Sequence, residues 1–430
     1  MKYEVLHGDC LAHLRDMPDN SIDAVVTDPP YGLSNTDPKH VAETLTKWVT
    51  GDHEYTPPAK GGFMGKAWDS FVPPPAVWDE CMRVLKPGGH LLVFAGTRTQ
   101  DLMGLSIRLA GFDIRDGIGW IYGSGFPKSM DISKAIDKAA GAERAVVGVS
   151  TYGDGHVQRS AESIGYGGSD PDSDSRKVTA PATPDAARWA GWGTALKPAI
   201  EPVIVARKPI RGTVAANVLE WGTGALNIDA SRVGPPGGFG GGAKGSSGFA
   251  GGYAGDGFVE STKGRWPANV LLDPEAAAAM DQQSGITKDG VAVRHRGVKG
   301  GEIGPPGNKP EGTADMGYGG TGGASRFFPV FKYQAKAPKK ERPVIEREDG
   351  TKVQHPTVKP LALMEWLITL VTPPGGTVLD PFAGSGTTLQ AARDKGFQAI
   401  GIEADADYCE LIHERLKGGQ MRLDAAATSG

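Results

Sequence analysis

At 430 residues, with 46 lysines and arginines against 50 aspartates and glutamates, the chain is long enough for a large core and carries no overall basic signal. Its formal net charge of −4 means that any nucleic-acid partner must be met by a local patch. Three cysteines, far apart in sequence, exclude a disulfide framework and a Cys-rich zinc site and fit a reducing compartment. "MKYEVLHGDC" lacks the apolar stretch of a signal peptide. "LALMEWLITLV", interrupted by Glu365, is too short to span a bilayer, so the expectation is a soluble, cytoplasmic protein with no membrane partner.

Residues 1–140 give short apolar runs, "IDAVVTD", "GHLLVFAG" and "GIGWIYG", separated by helix-like segments such as "PAVWDECMRVL". That alternation predicts a parallel sheet with helices on both faces, an α/β doubly wound fold. Residues 151–185, rich in Ser, Asp, Gly and Pro, read as a loop insertion. Glycine then dominates 232–259 and 317–325, which cannot form long regular elements. Islands of order remain at "ALKPAIEPVIVARKP" (195–209), "NVLLD" (269–273) and "RFFPVFKYQAK" (326–336). Residues 355–417 return to helix and strand in alternation, and the last dozen residues read as a frayed tail.

Within that last segment, "TVLDPFAGSGTTLQAA" is strand, acid, glycine turn and helix. Small residues from Ala383 to Gly386 let backbone approach a ligand, and the helix start at Thr387 offers free N–H groups. Glu403 ends the next strand roughly 20 residues on, where an acid reaches ribose hydroxyls. The loop is not G-x-G-x-x-G, lacks the Lys of a phosphate loop, and carries Asp380 just before it. A carboxylate there suits a cationic amino-acid moiety better than a pyrophosphate, so S-adenosylmethionine fits better than NAD or ATP.

"AVVTDPPYG" ends a strand on Asp28 and freezes the backbone behind it with Pro29 and Pro30. A carboxylate plus a fixed Pro29 carbonyl makes two acceptors for the N–H groups of an aromatic amine. Holding those N–H groups frees the nitrogen lone pair towards an electrophilic methyl. Tyr31 supplies a stacking face for the planar ring. The bland alternative is a proline turn in which Asp28 merely caps.

With both features in one chain, the sequence resembles the amino-group DNA methyltransferases in their permuted "beta" arrangement. There Asp-Pro-Pro-Tyr precedes the cofactor Phe-x-Gly-x-Gly motif, with target recognition between them. Here "TDPPYG" stands at 27–32 and "DPFAGSGTT" at 380–388, with further matches at "HGDC" (7–10), "LKPGGHLLVF" (85–94) and "HPTVKPLALMEWLI" (355–368). The resemblance implies a Rossmann-like sheet in circularly permuted motif order with a glycine-rich inserted target-recognition region. The resemblance covers roughly 1–140 and 355–417; with the composition it gives 1–150 as the catalytic half of the core, 151–185 as a flexible loop, 186–212 as a core strand segment, 213–350 as target recognition, 351–418 as the cofactor half and 419–430 as a flexible tail. It also implies that Asp28, Pro29, Pro30 and Tyr31 hold a flipped base. The cofactor set it implies is Asp9, Thr357, Lys359, Asp380, Phe382, Gly384, Ser385, Gly386, Thr387 and Glu403. His355 reads as a packing or hydrogen-bonding residue rather than a catalyst.

Cytosine C5 methylation needs a thiolate, usually in a Pro-Cys pair, and Cys10, Cys81 and Cys409 follow Asp9, Glu80 and Tyr408. Direct transfer to an exocyclic nitrogen is therefore the expectation, without a metal, and the resemblance implies that this nitrogen belongs to a base in double-stranded DNA. Members of the family it resembles with serine at this position tend towards cytosine N4, so the resemblance, with aspartate at 28, implies adenine N6. An RNA or protein amine methyltransferase and an inactive DNA-binding relative are the competing readings. A basic stretch interleaved with aromatics, including Arg326, Lys332, Lys336, Lys339 and Lys340, is the expected DNA contact, with a solvated basic loop as the alternative. Any restriction activity requires a separate endonuclease, and the setting implied is a bacterial or phage-infected cell.

Overall fold

The computed structural model describes residues 3–34, 36–58, 69–123, 125, 129–149, 177–234, 264–288, 291–292, 316–317, 321–331 and 342–427. The chain forms two compact units, residues 1–123 with 200–430, and residues 124–199.

The first unit is built on an eight-stranded sheet. Its strands, in chain order, are β1 Tyr3–His7, β2 Ile22–Thr27, β3 Leu85–Phe94, β4 Asp113–Ile121, β5 Ile200–Arg207, β6 Val270–Leu272, β7 Thr377–Asp380 and β8 Gln398–Glu403. They lie side by side in the order β1-β8-β7-β2-β3-β5-β4-β6. Neighbours from β1 to β3 run parallel, as do β4 and β6. The expected all-parallel sheet is thus corrected to a mixed one, because β5 is antiparallel to both β3 and β4. β4 and β5, consecutive strands of this sheet, pair as antiparallel neighbours, an arrangement that needs no crossover helix.

Every residue of β2 is buried, which marks a strand covered on both faces. Side chains alternate between two cores, as a period of two requires. Ala24, Val26, Leu92 and Phe94 join Leu363, Leu367 and Ile368 of helix α7 (Leu361–Val371) on one face. Val25, Leu91 and Val93 meet Trp78 and Cys81 of helix α3 (Pro75–Val84) and Met103 and Ile107 of helix α4 (Gln100–Leu109) on the other. Helices α1 (Cys10–Asp16), α8 (Thr387–Asp394) and α9 (Ala406–Ala427) complete the elements that frame the site. α9 continues through residues expected to fray, since the run "RLDAAA" is a good helix former. Among the described residues, no helix is long and apolar enough to cross a membrane.

In the second unit, strand Val146–Val149 pairs antiparallel with Lys177–Thr179. Of the expected loop insertion, residues 177–185 are described, and they form that second strand and open the helix Pro184–Arg188. Asp137, on helix Ile132–Ala139, is fully buried and ties this unit together. It accepts hydrogen bonds from the backbone of Ala182 (2.9 Å) and Thr183 (3.0 Å) and from the Arg144 guanidinium (2.5 Å).

Candidate active site

Because β1, β8, β7 and β2 are parallel neighbours, their carboxyl ends bring four separated segments together. Asp9 follows β1, Glu403 ends β8, Asp380 ends β7 and Asp28 follows β2. Parallel sheets place ligands at this edge. Here the edge opens on a pocket of about 770 Å³, lined by all the expected catalytic and cofactor residues except Gly386. That volume lies within the range of cofactor sites.

One wall is the Asp-Pro-Pro-Tyr corner. The backbone N–H of Gly32 donates to Asp69 Oδ1 at 2.9 Å, and Thr99 Oγ1 donates to the Tyr31 carbonyl at 2.6 Å. Gly32 has φ +65°, and a Cβ there would lie 2.7 Å from the Val72 nitrogen, so the turn requires glycine. Tyr31 Oη lies 2.7 Å from Asp28 Oδ1 and 2.6 Å from Glu201 Oε1. Burial, together with the charges of Asp28 and Glu201, pushes the Tyr31 phenol well above the usual range, so it stays protonated.

Lys359 closes the same cluster. Its ammonium lies 2.7 Å from Asp28 Oδ2, 3.0 Å from Glu201 Oε1 and 3.1 Å from Tyr31 Oη. It also stands 4.8 Å from the centroid of Phe94. Burial disfavours the charged amine, but Asp28 and Glu201 outweigh it and hold the pKa above the usual lysine range. The resemblance assigns Lys359 to the cofactor; in the structure its partners are the Asp28 and Glu201 carboxylates.

The opposite wall is the glycine loop. Gly384 and Gly386 have φ of +52° and +77°. A Cβ on Gly386 would lie 2.9 Å from Ile412 Cγ2, so this glycine serves packing against α9 rather than lining the pocket. Glu403 accepts from the backbone N–H of Gly384 at 2.7 Å and of Asp405 at 2.9 Å, which aims its carboxylate. Burial raises its pKa against those two bonds. Asp380 accepts from Thr27 Oγ1 at 2.7 Å and from the Phe382 N–H at 3.1 Å. Burial nevertheless raises Asp380 to about 6. Asp9 Oδ1 caps helix α1 through the Ala12 N–H at 2.9 Å, and its carboxylate lines the pocket. Ser385 Oγ accepts from Arg415 at 3.3 Å.

His355 also lines the pocket. Its Nδ1 lies within hydrogen-bonding reach of both the carbonyl and the N–H of Thr357. Its ring meets Tyr408 edge-on at 4.6 Å, and burial lowers its pKa. Cys10 lies in the pocket too, its thiol pushed up to about 12 by burial and Asp9, so it is no nucleophile.

Of the expected DNA contacts, Lys332, Lys336, Lys339 and Lys340 lie outside the described residues. Arg326 donates to Thr287 Oγ1 at 3.0 Å and to the Gly323 carbonyl at 2.8 Å. Its guanidinium also lies over the Phe327 ring at 4.4 Å.

Sequence reasoning missed Glu201 and Asp69. Glu201 is the second residue of β5, the strand of the eight-stranded sheet that runs against its neighbours, and so stands at the edge where the parallel strands end. Its signal was a single acid at the head of the apolar run "PVIVA".

A mixed α/β sheet with Asp-Pro-Pro-Tyr and a glycine loop facing one pocket defines a protein class, and direct comparison agrees with it. The family model for N6/N4 DNA methylases matches residues 22–164 and 260–414, more than half of the sequence, and the chain belongs to that family. The type II methyltransferase M2.DpnII of Streptococcus pneumoniae is 44% identical over 64 residues, 15% of this chain and 24% of that protein. The DNA adenine methyltransferase YhdJ of Escherichia coli (strain K12) is 45% identical over 73 residues, 17% of this chain and 22% of its own length. The chain thus spans about a quarter of these curated relatives. The solved PvuII DNA methyltransferase (cytosine-N4-specific) aligns over 96% of this chain and 86% of its own, at 13% identity and a TM-score of 0.40, a likeness that carries no argument.

Proposed function

We propose that the chain is an S-adenosylmethionine-dependent DNA methyltransferase that methylates an exocyclic base amine, adenine N6 in preference to cytosine N4. The carrying observation is the convergence on one pocket of an Asp28–Tyr31 corner and a glycine loop flanked by Asp380 and Glu403.

The donor set fits the cofactor. Glu403, oriented by two backbone N–H groups, suits a ribose diol, and the carboxylate of Asp380 suits a cationic amino-acid end. Asp9 lines the same pocket for the base, and Gly384 lets backbone approach closely. When bound, the cofactor supplies an electrophilic methyl group. The chain's part is to present the amine. Asp28 and the Pro29 carbonyl accept the two N–H groups, which localises the nitrogen lone pair, and the Tyr31 ring stacks on the base. Reaching that corner from a duplex requires the base to be flipped out of the stack. The same cradle serves adenine or cytosine; the preference for adenine follows from aspartate at 28.

Modification-sensitive sequencing of DNA from cells expressing the chain, with chromatography of the DNA hydrolysate, tests the reading. N6-methyladenine at a defined sequence is the expected result. N4-methylcytosine as sole product overturns the base assignment, and unmodified DNA from cells holding soluble protein overturns the activity.

A further inference from the structure

Glu201 belongs to no motif, yet it contacts both Lys359 and Tyr31 at distances of 3.0 and 2.6 Å. We propose that Glu201 is a positioning residue for methyl transfer, acting through Lys359 and Tyr31 to leave one net negative charge beside the target amine. The inference rests on the base-amine reading above.

The argument is one of charge. When the amine nitrogen forms its bond to the methyl carbon, the pair of the carbon–sulfur bond departs with sulfur. Positive charge passes from the sulfonium to the nitrogen, which then sheds one proton to the carboxylate cluster and so to water. Beside that nitrogen a net negative charge stabilises the transition state more than neutral acceptors alone do. Asp28 is the expected anion, but the Lys359 ammonium sits 2.7 Å from its Oδ2, and that pair alone has no net charge. Glu201 changes the sum. Two carboxylates share one ammonium, and the cluster returns to −1. The Tyr31 hydroxyl, with one proton between Asp28 Oδ1 and Glu201 Oε1, links the two acids into a unit. The antiparallel direction of β5 puts Glu201 there, with its backbone registered opposite Trp120.

Glu201→Gln keeps an acceptor for Tyr31 and removes only the charge. The expected single-turnover rate on the mapped DNA site falls about 10- to 100-fold, with cofactor affinity and melting temperature near those of the unaltered chain. Glu201→Gln combined with Lys359→Met restores a net charge of −1, and at saturating cofactor it should regain most of the loss. A double variant no faster than Glu201→Gln, or a Glu201→Gln rate equal to that of the unaltered chain, overturns the proposal. A binding measurement without cofactor gives an independent readout. The unaltered chain should prefer a duplex carrying cationic 1-methyladenine at the target position over one carrying adenine (3-methylcytosine if the mapped base is cytosine). Glu201→Gln should lose that preference, and an equal preference in both proteins overturns the charge argument. Absence of any methyl transfer by the unaltered chain overturns the base-amine reading itself.

Discussion

The two walls of the pocket hold their carboxylates in opposite ways. On the Asp28 wall, two acids share a buried lysine and a tyrosine hydroxyl, so the carboxylates are held by other side chains. On the glycine-loop wall, Asp380 and Glu403 lean on a threonine hydroxyl and backbone N–H groups, and burial lifts both pKa values. The difference is instructive. The first wall holds its acids with side chains, Lys359 and Tyr31, and on the proposed reading these acids are the acceptors of the target amine. The second wall has anions oriented by dipoles, as suits a site waiting for a cation.

Breaking the first wall should have the largest effect. Asp28→Ala removes the principal acceptor and leaves Lys359 with Glu201, so methyl transfer should fall by about 1,000-fold. Calorimetry should find cofactor affinity little changed, because the second wall is intact. Retained incorporation of labelled methyl into DNA would remove Asp28 from the mechanism. Tyr31→Ala should cost less, about 1–3 kcal/mol of stacking on the flipped base. A duplex with 2-aminopurine at the target position reads this as lost capture of the extruded base, whereas Tyr31→Phe, which keeps the ring, should keep most of it. Equal losses in the two variants would show that the hydroxyl, not the ring, matters. On the second wall, Gly386→Ala forces φ +77° on a residue with a Cβ and drives it to 2.9 Å from Ile412, so denaturant unfolding should show a loss of about 1–3 kcal/mol. An unchanged midpoint would refute that packing role.

What could be read without coordinates follows the same division. Asp28 to Tyr31 and Asp380 to Thr387 are each continuous in sequence, so strand, turn and chemistry are legible together. The pocket also depends on partners brought in by topology. Asp69 reaches the Gly32 N–H from 37 residues away, and Glu201 reaches Tyr31 from 170. Lys359 meets Asp28 across 331 residues. Periodicity does not report such distances. Nor does it report strand direction, since an antiparallel strand buried on both faces has the same apolar run as a parallel one. β5 read as an island of order, but the placement of Glu201 required knowing which way that strand runs.

The gentlest test of the comparison is pH. Burial is the main cause that lifts Asp380 to about 6, with the Asp28 charge adding to it against bonds from Thr27, Thr388 and Phe382. An unfolded aspartate titrates near 4, so folding takes up a proton at this residue between about pH 4 and 6. The stability it contributes is therefore fully present below about pH 4 and lost as pH rises through about 6. Cofactor binding has the opposite sign, because the cationic amino-acid end proposed to meet Asp380 favours the ionised acid. Affinity should strengthen from pH 5 towards 7, by up to about tenfold per unit below 6, with Glu403, also raised by burial, acting in the same direction. Asp380→Asn should flatten most of that rise in calorimetric titrations at fixed ionic strength. An unaltered chain whose affinity is flat across the window would remove the Asp380 charge from cofactor recognition and leave its Thr27 and Phe382 bonds as its whole role.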